Sequence, residues 1–216
     1  MKKRFATLVF VMLMALGLAQ GPVKAQEYNV EHPVLCNNLT TDLKLRMREL
    51  WADHSAWTSA TLVAAIDNAP NTPEVLNRLL RNQDQIGAEF ANIYGPQIGN
   101  EVARLLREHI IIATKVVDAL KSDNKAEHQE QSKLWYRNAD ELAQYLSGLN
   151  PHLQENELKE MLHIHLDMVD AQAKAHIGGN WKKEIELADE GTAHLAILGD
   201  TLSAAIISQH PEKFQN

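Results

Sequence analysis

The sequence predicts an all-α protein, a six-helix up-and-down bundle built from three repeated helical hairpins, and three observations carry that prediction. From about Thr41 onward apolar residues recur at three- and four-residue spacing, and no stretch alternates with period two for long enough to argue a strand. Five breaks carrying Gly, Pro, Asn or Asp divide the chain: DNAPNTP (67–73), YGPQIGN (94–100), KSDN (121–124), GLNPHLQEN (148–156) and GGN (178–180). Finally, LWADH ends at His54, LLREH at His109 and MLHIH at His165, at separations of 55 and 56 residues, the signature of an internal repeat.

The elements follow in order. Residues 1–25 place Lys2, Lys3 and Arg4 before the apolar run LVFVMLMALGLA, and Val23 and Ala25 have the small-residue spacing of a signal-peptidase site; a run of 12 residues is short of the ~20 that span a bilayer. This reads as a cleaved secretory signal, which implies a periplasmic or extracellular protein with no stable membrane anchor. Residues 26–40 form an N-terminal arm holding Cys36, the only cysteine, so no intrachain disulfide can form. The bundle domain then runs over 41–216, with helices expected at 41–67, 73–94, 97–121, 125–148, 154–177 and 181–209. Thr72 ahead of Pro73 is expected to cap the second helix, and Gly178 to close the fifth. Short connections make each helix antiparallel to the next.

Composition limits the partners. Cleavage after Ala25 removes four of the 21 basic residues and none of the 28 acidic ones, leaving a formal charge of −11 and no Lys/Arg cluster. Such a surface repels phosphate backbones, which excludes nucleic acid and anionic membrane as partners. No Gly-rich phosphate loop, G-x-S-x-G elbow or H-E-x-x-H motif is present, so the sequence contains no catalytic constellation, and a protein partner cannot be named from it.

Candidate functional residues come from the repeat. His109 has Leu105, Leu106, Ile112, Ala113 and Val116 within two turns and so faces the core, where a titratable ring needs a partner. Asn82, Asn138 and His194 follow the three repeated histidines by 28, 29 and 29 residues, and counting the ~1.5 Å rise per residue from each turn places them level with those histidines, except that His54 and Asn82 differ by about one turn. One polar layer is therefore expected to cross the bundle. Two readings of it stand. It is a hydrogen-bond network of imidazoles and amides that specifies register, in which case the protein is a structural or interaction module. Or it binds a divalent transition metal through His54, His109, His165 and His194, neutral imidazole being a common ligand, or a small ligand through Asn82, Asn138, Trp51 and Trp135. Glu160 and His163 are the only pair with the Glu-x-x-His spacing of di-iron carboxylate bundles, and one pair does not make such a site.

From about residue 43 to its end the chain resembles a family of uncharacterised bacterial secreted helical proteins. The resemblance rests on Leu50-Trp51-x-x-His54-x-x-Trp57-Thr58, Leu79-Leu80-Arg81-Asn82, Leu105-Leu106-x-x-His109, Trp135-Tyr136-x-Asn138-Ala139-Asp140, His165-Leu166-Asp167-Met168 and His210-Pro211-Glu212-Lys213-Phe214. It departs from the family pattern at Val169, where Thr is usual, and at His210, where Phe is usual. The resemblance implies a helical fold. Labels such as acetylglutamate kinase or glycosyltransferase attached to relatives denote α/β enzymes with nucleotide-binding loops, which this sequence lacks.

Overall fold

Three turns of one design set the architecture. In a computed structural model, which describes residues 38–215, helix α1 (Leu39–Ile66), α3 (Pro96–Lys121) and α5 (Glu155–Ile177) each end in a residue of left-handed backbone: Asn68 (φ 54°), Asp123 (φ 50°) and Gly179 (φ 69°). In each turn the following N–H reaches back five residues to an alanine carbonyl, from Ala69 to Ala64, Asn124 to Ala119 and Asn180 to Ala175, at 2.9 Å. This is the Schellman closure, which satisfies carbonyls that a helix end would otherwise leave bare. Each left-handed residue lies 14 positions after its repeated histidine, so the repeat is in backbone geometry as well as sequence.

The partner helices are α2 (Thr72–Tyr94), α4 (Lys125–Leu149) and α6 (Trp181–Gln209), followed by a 3₁₀ turn at Pro211–Lys213. All six helices fall within two residues of the expected bounds, and α1 starts two residues earlier, inside the segment expected as the arm. The expected signal and residues 26–37 lie outside the described residues. Two capping expectations are corrected. Thr72 does not cap α2; its hydroxyl donates to the carbonyls of Ala64 (2.9 Å) and Ala69 (2.7 Å), tying the turn back onto α1, while Asn71 holds the cap position. Gly178 has ordinary helical φ, and Gly179 after it takes the left-handed conformation. Asn38, Asn124 and Asn180 cap α1, α4 and α6 by accepting the backbone N–H three residues on.

The hairpins arrange themselves with α1, α3 and α5 inside, each touching the other two. Around them α2 packs between α1 and α3, α4 between α3 and α5, and α6 between α5 and α1, which closes the ring. The closest pair is α2 with α3, where Gly87 and Ala91 face Gly99 and Ala103 and backbone meets backbone. Arg-Asn-x-Asp occurs at 81–84 on α2 and again at 137–140 on α4, and in both its aspartate crosses to the next inner helix, Asp84 to Arg107 and Asp140 to His163, both at 2.9 Å. The far ends of the outer helices meet as well. Asn150 donates to Tyr94 Oη (3.1 Å), Tyr94 donates to Gln209 Oε1 (2.6 Å), and Gln209 donates to the Leu149 carbonyl (2.9 Å).

Candidate functional site

The repeated histidines stand at equivalent points of the three inner helices, so they converge on the centre of the bundle. The His165 ring lies 5.6 Å from that of His54 and 6.4 Å from that of His109, centre to centre, and all three are buried. The polar residues on the outer helices share one job. Asn82 donates to the Leu50 carbonyl (3.0 Å), Asn138 to that of Leu105 (3.3 Å) and His194 to that of Met161 (2.7 Å). Each acceptor is four residues before the repeated histidine of its hairpin. The expected layer thus exists, with one correction: His194 is only half-buried, and its Nε2 is spent on that carbonyl.

What differs among hairpins is how the central ring is held. His109 is fully engaged: Trp135 donates its indole N–H to Nε2 (2.9 Å), and Nδ1 faces Asn138 Oδ1 at 2.8 Å. An indole nitrogen only donates, so Nε2 is the bare nitrogen, and Nδ1 carries the proton that it gives to Asn138. A directional chain results, from Trp135 through His109 and Asn138 to the Leu105 carbonyl. Replacing Asn138 with Leu strands the His109 N–H in the core, and urea unfolding should register a loss of about 2–3 kcal/mol; a loss under 0.5 kcal/mol would show that this chain is not what holds the ring.

In the first hairpin His54 is held by Gln83, whose amide lies 3.3 Å from Nδ1 and also contacts the Leu79 carbonyl (2.8 Å) and Asn82 Oδ1 (3.1 Å). Gln83 was not among the expected site residues. Its signal is positional: the equivalent residues of the other hairpins are the apolar Ala139 and Leu195, so a fully buried glutamine there must serve a polar neighbour.

The third hairpin lacks both devices. Position 194 is occupied by a histidine spent on the Met161 carbonyl and position 195 by leucine, while the place of Trp135 is taken by Gly191. His165 Nδ1 is consequently buried with no partner. A Cβ placed on Gly191 would meet nothing within 4 Å, and a water-sized cavity of ≈ 10 Å³ lies there, lined by His165, Thr58, Ser59, Gln172 and Gly191. Thr58 and Val169 also border a larger apolar cavity of ≈ 40 Å³ walled by Leu62, Leu79, Ile110 and Val117. Thr58 Oγ1 has no partner either, and neither do Trp51 Nε1 and Gln83 Oε1 around His54.

Electrostatics keep the centre neutral. Burial, then the proximity of His109, pushes His54 down to about 4, and burial pushes His109 down to about 4 despite its bond to Asn138. Burial first, and then His54, His109 and His194, hold His165 well below the ordinary histidine value.

Of the expected metal ligands, three come together and His194 does not join them. Among the described residues no three His, Cys, Asp or Glu side chains are arranged to hold one ion, and His109 would have to give up the bond from Trp135 to ligate through Nε2. Of the expected ligand-binding residues, Asn82, Asn138 and Trp135 are committed to the network, while Trp51 is buried with its N–H free. Glu160 is exposed and His163 is spent on Asp140. Compared with family models, curated proteins and solved structures, the chain matches none of them.

Proposed function

We propose that this is an exported small-ligand-binding bundle, in which His54, His109 and their amide partners form a structural lock and His165 is the ring reserved for a ligand. The observation that carries the reading is the unpartnered Nδ1 of His165 beside a cavity. Buried polar groups in native proteins are paired in the large majority of cases, and the other two hairpins each supply a side-chain partner where this one supplies space. A second reading keeps a metal ion in view through the His54–His165 pair, whose rings lie 5.6 Å apart.

The test is a melting-temperature screen of the exported protein, whose intact mass is expected to lack residues 1–25. Zinc, copper and short organic alcohols, acids, amines and amides are added to the parent and to His165→Leu. At a hundred times its dissociation constant a ligand adds ~2.7 kcal/mol, which raises the melting temperature of a chain of this length by roughly 5–10 °C. At least one class should shift the parent and leave His165→Leu unmoved. If none does, or if both proteins shift equally, the layer is a lock alone and the protein is a structural module.

A further inference from the structure

The cavity at His165 also constrains what enters it. Resting on the ligand-binding reading above, we infer that the ligand is a short, uncharged aliphatic hydroxyl compound, its hydroxyl set between His165 Nδ1 and Thr58 Oγ1 and its carbon chain in the apolar cavity between α1 and α3.

Size comes first. The two cavities, ≈ 10 and ≈ 40 Å³, share Thr58 and Val169 in their walls. At ~10–15 Å³ for each water-sized group they take about four non-hydrogen atoms, which excludes an aromatic ring or a sugar.

Charge comes second. No Asp, Glu, Lys or Arg lines either cavity, so an ammonium or a carboxylate entering would lose its hydration with no counter-ion to replace it.

Head-group chemistry comes third. His165 Nδ1 and Thr58 Oγ1 are the two unsatisfied atoms on the walls. A neutral imidazole nitrogen either donates or accepts according to its tautomer, and a hydroxyl, with one donor and two lone pairs, serves both tautomers and Thr58 together. A carbonyl only accepts. The rest of the wall matches a tail: Leu62, Leu79, Ile110 and Val117 offer no unspent polar atom.

The site owes its existence to Gly191. Where the second hairpin plugs its histidine with Trp135, glycine leaves a water-sized space beside His165. This supplies a variant that removes the site without removing a polar group: Gly191→Ala puts a methyl into the water-sized space and exchanges a helix-interior glycine for a strong helix former.

The experiment titrates 1-propanol into the exported protein and follows the His165 imidazole nitrogens by NMR, with xenon, propylamine, propionate and zinc as comparison probes. With so few atoms in contact the dissociation constant is expected on the order of millimolar. Saturable perturbation of His165 by 1-propanol is expected. Thr58→Val should weaken it roughly five- to tenfold while leaving xenon uptake unchanged, and Gly191→Ala should abolish it while raising the melting temperature. Equal binding of xenon and 1-propanol, or no effect of Thr58→Val, overturns the hydroxyl assignment. Perturbation of His165 by propionate, propylamine or zinc but not by 1-propanol overturns the ligand class and leaves the binding reading standing. If no probe reaches His165 and Gly191→Ala merely adds stability, the space holds water only and both fall.

Discussion

Lowering the pH from 7 to 4.5 is expected to cost this bundle several kcal/mol, through histidines rather than carboxylates. The folded values of His54 and His109, about 4, lie below the unfolded value of 6.5. The unfolded chain therefore binds more protons than the folded one throughout the interval between them. Stability is fully present above about pH 6.5 and is lost as pH falls toward 4, at up to ~1.4 kcal/mol per pH unit for each ring, so each of these two rings costs about 2–3 kcal/mol by pH 4.5. His165 adds in the same direction. The rings adjoin one another, so the costs are coupled and their sum is not a simple total. One histidine works the other way. His176 is pulled down by burial but raised overall by Glu184 (2.9 Å) and Asp67 (3.1 Å), so its contribution is present in acid and is lost as pH rises through its folded value. Urea unfolding of the parent and His109→Gln at four pH values between 7.5 and 4.5 checks this. The parent should lose stability steeply below pH 6 and the variant less steeply. Parallel curves would mean that the central rings do not govern the acid response.

The second large effect is steric and opposes helix propensity. In an exposed helix interior, Gly→Ala stabilises by about 1 kcal/mol. At Gly99 a Cβ would lie 2.4 Å from the Gly87 carbonyl oxygen and 2.5 Å from Ala91 Cβ; at Gly87 it would lie 2.6 Å from the Gly99 carbonyl oxygen and 2.7 Å from Ala103 Cβ. These are backbone and β-carbon atoms that no rotamer change can move, so α2 and α3 must separate and loosen the buried Ile86, Phe90 and Val102 beside them. Gly99→Ala should therefore destabilise by roughly 2–3 kcal/mol despite the better propensity. Gly191→Ala, with open space around its Cβ, should stabilise by roughly 0.5–1 kcal/mol. Chemical denaturation of the pair gives opposite signs if contact distance decides, and the same sign if propensity does.

The helices and the polar layer were legible because both are periodic. Core spacing of three and four residues, five breaks and a recurrence of 55 and 56 residues are all sequence distances, and a helix converts distance along the chain into height and direction. Rotation about each axis is not encoded that way. Nothing in the period says that α1, α3 and α5 go inside, and without that His194 reads as a fourth central ring instead of the donor to Met161. Partner choice across helices is equally hidden. Trp135 lies one turn before Asn138 and shares its face, yet only packing brings its N–H to the bare nitrogen of His109. Gly191 is the sharpest case: a glycine inside a helix carries no chemistry of its own, and its meaning emerges only from comparison with Trp135 at the equivalent place.

Closure of α6 onto α1 gives the repeat a different character from that of an open array. In a linear stack of hairpins each unit meets only its neighbours, and an end unit can fray while the rest stand. Here each hairpin supplies one wall of a shared centre, so the loss of any one exposes His54, His109 or His165 and the inner faces of the other two. The molecule is accordingly expected to be indivisible in folding although it is threefold in plan. No hairpin is terminal in the energetic sense, and the copies differ in what they leave at the middle: a glutamine, a tryptophan and a gap.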